Sequence, residues 1–517
     1  MEKVFRYLFI FVDLMIEVME IFYAALPILL LIILMGFFKM SGDASSAITL
    51  IVTAFLAMFA FHSSLRDTAL SFVYGMLKAL VPILFIILMA IYSYNVLLRT
   101  KKIEVLKQQF SSISTDKSIQ VLLITWGFGG LLEGMAGFGT AVAIPAAILI
   151  SLGFRPLFSA VVSLIANSVP TAFGAVGVPV IVLAQETGLP VSPLSTAVVL
   201  QLSVLMFLVP FVLTFLADPK LKSLPKNLVL SMLVGSFSLA AQYLSARYIG
   251  AETPAIIGSI VAAVVIVSFG KLIRKEGEKR VESPYRGKEI VSAWMVYVLI
   301  MFFVLVTSPI FPTIKNSLQS VGVSTVSFTI RGEENRYVIQ WLTQGGVLLF
   351  LGSFIGGLIQ GASAGVLLRL LWKTFIQLRK TVVTVICLVG LSSVMETAGM
   401  IQVLAMALSA ATGALYPFFA PTIGALGTFL TGSDTSANIL FGKLQAGVAE
   451  HIQVDPNWLS AANTAGATGG KIISPQSIAI ATSATDQQGQ EGDILKAAIP
   501  YALAYVIITG VIVCLFA

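Results

Sequence analysis

Apolar positions along this chain fall in long unbroken runs and seldom alternate with polar ones. The stretches 23–38, 48–61, 79–98, 195–217, 228–243, 254–272, 291–306, 338–359 and 494–517 are apolar for close to the roughly 20 residues that an α-helix needs to cross a bilayer. So many such runs predict an all-α polytopic membrane protein. Basic residues gather between the runs, at 99–107, 220–226, 271–288 and 369–380, and the positive-inside preference puts these loops in the cytoplasm. The first residues carry Lys3 and Arg6 but also Asp13, Glu17 and Glu20, with no small-residue cleavage site. Residues 1–21 therefore read as an interfacial or extra helix and not as a signal peptide.

The chain also repeats itself at an offset near 297 residues, which reorganises the list of runs. ANSVPTAFGAVGVP begins at Ala166 and ANTAGATGGKIISP begins at Ala462; each has a Gly seven after its Asn (Gly174, Gly470) and a Pro twelve after it (Pro179, Pro475). Upstream lie two Gly-rich polar tips, GLLEGMAGFGT from Gly130 and GTFLTGSDTSAN from Gly427. Each unit reads as two spans, an amphipathic helix, a third span, a Gly-tipped re-entrant hairpin, a helix broken at its Asn and a closing span. Repeat 1 is expected over 22–217, with its hairpin at about 119–151 and its broken helix at about 158–184. Linker spans with a basic loop cover 218–288, and repeat 2 covers 289–517, with its hairpin at about 416–447 and broken helix at about 457–481. One unit makes about five crossings and the linker two, so the second repeat enters inverted and the whole chain crosses about 12 times.

Composition agrees with that solvent: 57% of residues are hydrophobic and 11% charged, against roughly 45–50% and about 25% in soluble domains. The net charge of +7 is accounted for by the basic loops and gives no reason to invoke nucleic acid. Cys387 and Cys514 lie in apolar runs, so neither a disulfide framework nor a zinc site is on offer. No Ser/His pair, H-E-x-x-H or Cys cluster points to an intramembrane enzyme, and no metal or cofactor is implied. Lys471 is not part of a P-loop, because Ala465 and Ile472 stand where that motif requires Gly and Ser or Thr.

Polar residues at membrane depth mark a substrate path, since non-helical backbone survives there only beside protein or a water-filled cavity. Two hairpin tips and two helix breaks meeting near the midplane would form such a cavity, and their half-helix N-termini would favour an anion. The glycines at the tips and breaks are Gly134, Gly137, Gly139, Gly174, Gly432 and Gly470. Between Ile119 and Ala217 the charged residues are Glu133, Arg155 and Glu186. Glu133 reads either as a proton-carrying carboxylate or as a cap of a half-helix. Asp434 reads either as a proton or cation carrier or as a partner of Ser433 in capping. Candidate substrate contacts are Asn167, Ser168 and Thr171 at the first break, Ser433, Thr435, Ser436 and Asn438 at the second tip, and Asn463, Thr464 and Lys471 at the second break. Arg155 is expected at the interface, and Glu186 and Glu396 are expected to be solvated.

Five segments, EGMAGFGTAVAI (133–144), LGFRPLFSAVVSLIANSVPTAFGAVGVPV (152–180), AQYLSARYIG (241–250), LTGSDTSANILFG (430–442) and AANTAGATGGKIISPQSIAIA (461–481), resemble the bacterial L-lactate permease family over nearly the whole chain. The resemblance implies an inverted-repeat transporter of the wider ion-transporter superfamily, with an elevator-like motion, in the prokaryotic inner membrane. It implies uptake of L-lactate, with D-lactate and glycolate as related substrates, together with a proton, and it leaves a homodimer open. Other members have a G-F-G-x-P tip, whereas here Pro145 comes several residues later, and the METAG stretch around Glu396 is unusual. The alternative is a sodium-coupled carboxylate symporter of the same architecture, since Asn, Ser, Thr and backbone carbonyls at helix breaks are what a Na⁺ site is made of.

Overall fold

The computed structural model describes residues 2–111, 114, 116–137, 139–273, 285, 287–487 and 490–517; most of the basic run 271–288 lies outside them. Ten helices among the described residues are long and apolar enough to cross a membrane, and two pairs bent by 47° and 43° raise this to as many as twelve.

The two halves present their elements in the same order. In the first, Gly42–Phe59 is followed by the amphipathic Leu65–Lys78, the span Phe85–Arg99, a hairpin and a broken helix. One hairpin arm runs from Lys117–Leu122 through the wide turns Leu123–Gly129 into Gly130–Met135, and the other is Thr140–Ser151. The broken helix is Pro156–Thr171 plus Gly174–Thr187, and Val191–Gln201 with Leu205–Ala217 closes the unit. In the second half the sequence of elements is Gly345–Ile359, Ala364–Gln377, Arg379–Ala398, hairpin arms Tyr416–Thr431 and Asp434–Ile452, a helix broken between Pro456–Lys471 and Pro475–Ala484, and Glu491–Leu515. Leu224–Tyr248 and Pro254–Leu272 join the halves, and the first hairpin packs against the latter.

Packing between the halves is reciprocal. Gly42–Phe59 lies on Arg379–Ala398, and Gly345–Ile359 lies on Phe85–Arg99. Gly174–Thr187 lies on the second hairpin's arm Asp434–Ile452, while Pro475–Ala484 lies on the first hairpin's arm Thr140–Ser151. This exchange is what two inverted repeats about a pseudo-two-fold axis produce. It leaves the tip of each hairpin facing the broken helix of the other half.

The two breaks are built differently. In the first, Ala175, Val176 and Gly177 turn left-handed, with φ of 46°, 60° and 77°. A β-branched residue in that region is held only by its surroundings, at a cost of about 1–3 kcal/mol. In the second, Pro475 starts a new half-helix and Ser474 caps it by accepting from the Ser477 N–H at 3.2 Å.

Two sequence expectations are corrected. Residues 1–21 are not a separate element, because the first span is continuous with them as Glu2–Ile32. The run 338–359 is not one span: its helix starts at Gly345, and residues up to Gln340 belong to a β-hairpin. That hairpin, Val323–Ile330 against Glu333–Gln340, turns at Arg331 and Gly332, both with positive φ as a two-residue turn of this hand requires. Its alternation of polar and apolar residues is short beside the surrounding apolar runs, and the run count passed over it. Its Tyr337 hydroxyl donates to the Val81 carbonyl, and its Phe328 and Tyr337 rings meet Tyr74 edge-on.

Candidate functional site

A cavity of about 370 Å³ lies where the two tips and two breaks converge. Four half-helix starts border it: Gly139 ahead of Thr140–Ser151, Gly174 and Ala175 of the first break, Ser433 to Ser436 of the second hairpin, and Gln476 and Ser477 beyond the second break. Helix N-termini carry partial positive charge and unspent N–H groups, so the cavity favours an anion.

Glu133 stands on the first hairpin's inner arm and is 1% exposed. Its Oε1 accepts from Lys471 Nζ at 3.1 Å and from Thr171 Oγ1 at 3.3 Å. The Lys471 pair crosses from one half to the other, over 338 residues of sequence. The close approach depends on Gly174, where a Cβ would meet Glu133 Oε1 at 2.9 Å. Burying the pair is expensive, and each charge is tolerated only through the other.

Asp434, 2% exposed, begins the second hairpin's returning arm. Ser433 is the residue that caps that arm, accepting from the Ser436 N–H at 3.3 Å, which leaves Asp434 free of the capping role. Asp434 Oδ1 accepts from Thr428 Oγ1 at 3.2 Å. The tip turns at Gly432, left-handed at φ 71°, where any Cβ would strike Gln476. Three buried oxygens around the cavity, Glu133 Oε2, Asp434 Oδ2 and Asn167 Oδ1, have no hydrogen-bond partner. All three belong to residues that line the cavity and are free to bond to whatever fills it.

Most of the expected residues line this cavity: Glu133, Asn167, Thr171 and Lys471 with Gly137, Gly139 and Gly174 from one side, and Gly432, Ser433, Asp434, Thr435 and Ser436 from the other. Gly134 and Gly470 stand behind it as packing positions, against Ile256 and against the Ala425 carbonyl. Ser168 donates to the Ile165 carbonyl at 2.7 Å and does not border the cavity.

Asn438, Asn463 and Thr464, expected as substrate contacts, do not border the cavity and bond to one another. Asn438 Nδ2 donates to the Pro179 carbonyl at 2.9 Å and to Thr464 Oγ1 at 2.8 Å. Asn463 Nδ2 donates to the Ala437 carbonyl at 3.1 Å and to Asn438 Oδ1 at 2.9 Å, and Asn463 Oδ1 accepts from Gln445 at 3.3 Å. With their hydrogen-bonding capacity spent on each other, these side chains tie the second hairpin to both broken helices.

The sequence matches the L-lactate permease family from residue 20 to residue 517. It is 43% identical over 442 residues to the L-lactate permease of Streptococcus iniae, covering 85% of this chain and 92% of that one. The chain belongs to the L-lactate permease family. The glycolate permease of Escherichia coli K12 is 32% identical, over 95% of this chain and 94% of its own. Among solved structures the Neisseria gonorrhoeae efflux pump MtrF shares the fold, with a TM-score of 0.52 at 12% identity over 92% of this chain and 95% of that one. A member of the L-lactate permease family is a multi-pass bacterial membrane transporter and not an enzyme.

Several cavity-lining and buried charged positions were missed. Ser41, Asp43, Lys380, Thr381 and Thr384 line the cavity's mouth, at the starts of Gly42–Phe59 and Arg379–Ala398. Glu186 is another correction: it is buried and ion-paired to Lys443 at 3.1 Å, not solvated. Glu396, 47% exposed, pairs with the same Lys443 at 2.5 Å. The scarcity argument applied to residues 119–217 would have found Lys443, the sole Lys or Arg between Lys380 and Lys471. Arg155 is exposed at the start of Pro156–Thr171, where an interface residue belongs.

Proposed function

We propose that this chain is a proton-coupled symporter of L-lactate and related 2-hydroxymonocarboxylates, D-lactate and glycolate among them. The observation that carries the reading is the charge of the cavity. Inward of Asp43 and Lys380 at its mouth it holds one ammonium, Lys471, 14% exposed, and two buried carboxylates, Glu133 and Asp434, each with an unpartnered oxygen. A monoanionic substrate entering that cavity adds a third negative charge to a low-dielectric site, which is costly unless a proton enters with it. The names of the relatives, L-lactate permease and glycolate permease, support the substrate class.

On this reading a proton taken up by Glu133 releases Lys471, whose ammonium then pairs with the substrate carboxylate. The half-helix starts at Ser433–Ser436 and Gln476–Ser477 supply N–H and hydroxyl donors, and Asn167 Oδ1 accepts from the 2-hydroxyl. Ile87, Val142, Val178 and Ile480 line the cavity too and give a methyl group an apolar surface. Asp434 is the second proton site. The hairpins and broken helices around the cavity, drawn from both repeats, move together in an elevator-like motion, with the cavity's mouth on the cytoplasmic side beside Arg379 and Lys380. One proton per monoanion moves no net charge, so the pH gradient drives uptake and the membrane voltage does not.

Uptake of labelled L-lactate into proteoliposomes, under an inward pH gradient or an inward Na⁺ gradient imposed separately, tests this. Accumulation with the pH gradient alone is expected. Accumulation only with Na⁺ would transfer the coupling to a sodium site, and none under either would remove lactate as the substrate.

A further inference from the structure

Beyond the central cavity, a second buried charge cluster is assigned by nothing described so far. Lys443 lies nine residues after Asp434 on the second hairpin's returning arm, about 13 Å further along the helix. Its ammonium, 6% exposed, contacts Glu186 Oε2 at 3.1 Å and Glu396 Oε2 at 2.5 Å. Glu186 sits in the last turn of Gly174–Thr187, and Glu396 sits in the last turn of Arg379–Ala398. A carboxylate at a helix C-terminus opposes the helix dipole. Two such ends, each with its own carboxylate, converge on one ammonium, and Lys443 offsets the repulsion between them.

The three partners belong to different bodies of packing. Lys443 and Glu186 sit on the hairpin and broken helix that border the substrate cavity, and those two elements pack on each other. Glu396 sits on Arg379–Ala398, which packs on Gly42–Phe59 and Leu65–Lys78. Ser392 of that helix adds a second link across the divide, donating to Glu186 Oε2 at 3.1 Å. Lys78 of Leu65–Lys78 lies within electrostatic reach of both carboxylates, over the Tyr74 ring at 4.8 Å. Tyr74 in turn meets the β-hairpin.

Burial decides which contact can open. The Glu186 side chain is fully buried, so parting it from Lys443 would strand a charge, whereas Glu396 is 47% exposed and can be rehydrated. Position decides what opening would do. Lys380 at the cavity's mouth and Glu396 stand sixteen residues apart on one helix, about 24 Å. The cavity is open at the first end of that helix and the charge cluster joins the halves at the other.

We propose that Lys443, Glu186 and Glu396 are functional residues of the transport cycle, a latch that closes the substrate path on the side opposite the mouth. Lys443 and Glu186 travel together, and the Lys443–Glu396 contact breaks when that side opens.

The test uses the full chain in intact cells, with Cys387→Ser and Cys514→Ser removing the native thiols and Ser392→Cys placing one at the latch. A membrane-impermeant maleimide is applied from outside. Slow labelling is expected in this background, and labelling about tenfold faster when Glu396→Gln is added. Glu396→Asp, which keeps the charge but shortens its reach, should lie between the two and serves alone if the amide variant does not reach the membrane. Labelling that is equally fast in the background and both Glu396 variants, or that is absent from all three, would overturn the latch. The assay needs no lactate and no proton gradient, so its failure is distinct from a failure of the proposed substrate or coupling ion.

Discussion

Asn167 and Asn463 occupy matching positions in the two repeats, one in each broken helix, yet the structure gives them opposite surroundings. Asn167 borders the cavity with its Oδ1 unpartnered. Asn463 is fully buried among Ala437, Asn438 and Gln445, with donors and acceptor all engaged. The same asymmetry runs through the charges: the first broken helix offers Glu133 Oε1 a hydroxyl, that of Thr171, while the second offers the same oxygen a cation, Lys471. Repetition built the frame, and divergence then left one asparagine facing the cavity and turned the other into a brace behind it. A residue's place in a repeat therefore predicts its place in the fold better than its role.

The largest effect should come from Lys471→Met, which keeps most of the side chain's apolar stem and leaves Glu133 buried without its partner. Removing one member of a buried pair costs about 3–5 kcal/mol; labelled lactate uptake should fall at least a hundredfold, and Lys471→Arg should restore part of it. Next comes Asn463→Ala, which strands Asn438 and Gln445 groups in the interior at about 2–4 kcal/mol. A lower thermal midpoint of the detergent-solubilised protein checks this, with the substrate KM of the surviving fraction near normal. A normal midpoint with a raised KM would reverse the comparison and return Asn463 to the ligand.

Glu133→Gln sharpens the same contrast from the other side. Uptake driven by a pH gradient should drop by at least an order of magnitude, while lactate–lactate exchange, which needs no net proton movement, persists. Equal loss of both would mean that Glu133 holds the cavity together and does not carry the proton. The smallest effect is expected of Asn167→Ala. One ligand hydrogen bond at about 0.5–1.5 kcal/mol corresponds to a KM higher by roughly two- to thirteenfold, with an unchanged thermal midpoint. A midpoint lowered as far as that of Asn463→Ala would erase the difference between the two asparagines.

Much of this was legible in the sequence because charge is rare there. A lone Glu133, Asp434 or Lys471 in an apolar chain must be paired or face water, and either alternative leads to the cavity. The repeated Asn, Gly and Pro spacings likewise located both breaks. What the sequence could not reveal is which of the scarce groups meet. Glu133 pairs with a lysine from the other repeat, and Glu186 is buried because a hairpin from that repeat lies over it. Asn438, Asn463 and Thr464 look like ligand contacts until their mutual distances are known. The β-hairpin escaped because its eight-residue strands carry a period of two inside a chain searched for long apolar runs.

The helix Arg379–Ala398 has both the mouth and the latch, and its stiffness has a mechanical consequence. A tilt of about 10° around its midpoint displaces ends that lie about 12 Å away by about 2 Å in opposite directions. That displacement exceeds the slack in a charged hydrogen bond. Widening at one end is thus tied to narrowing at the other by leverage, and a single rigid rod suffices to keep both doors from standing open together.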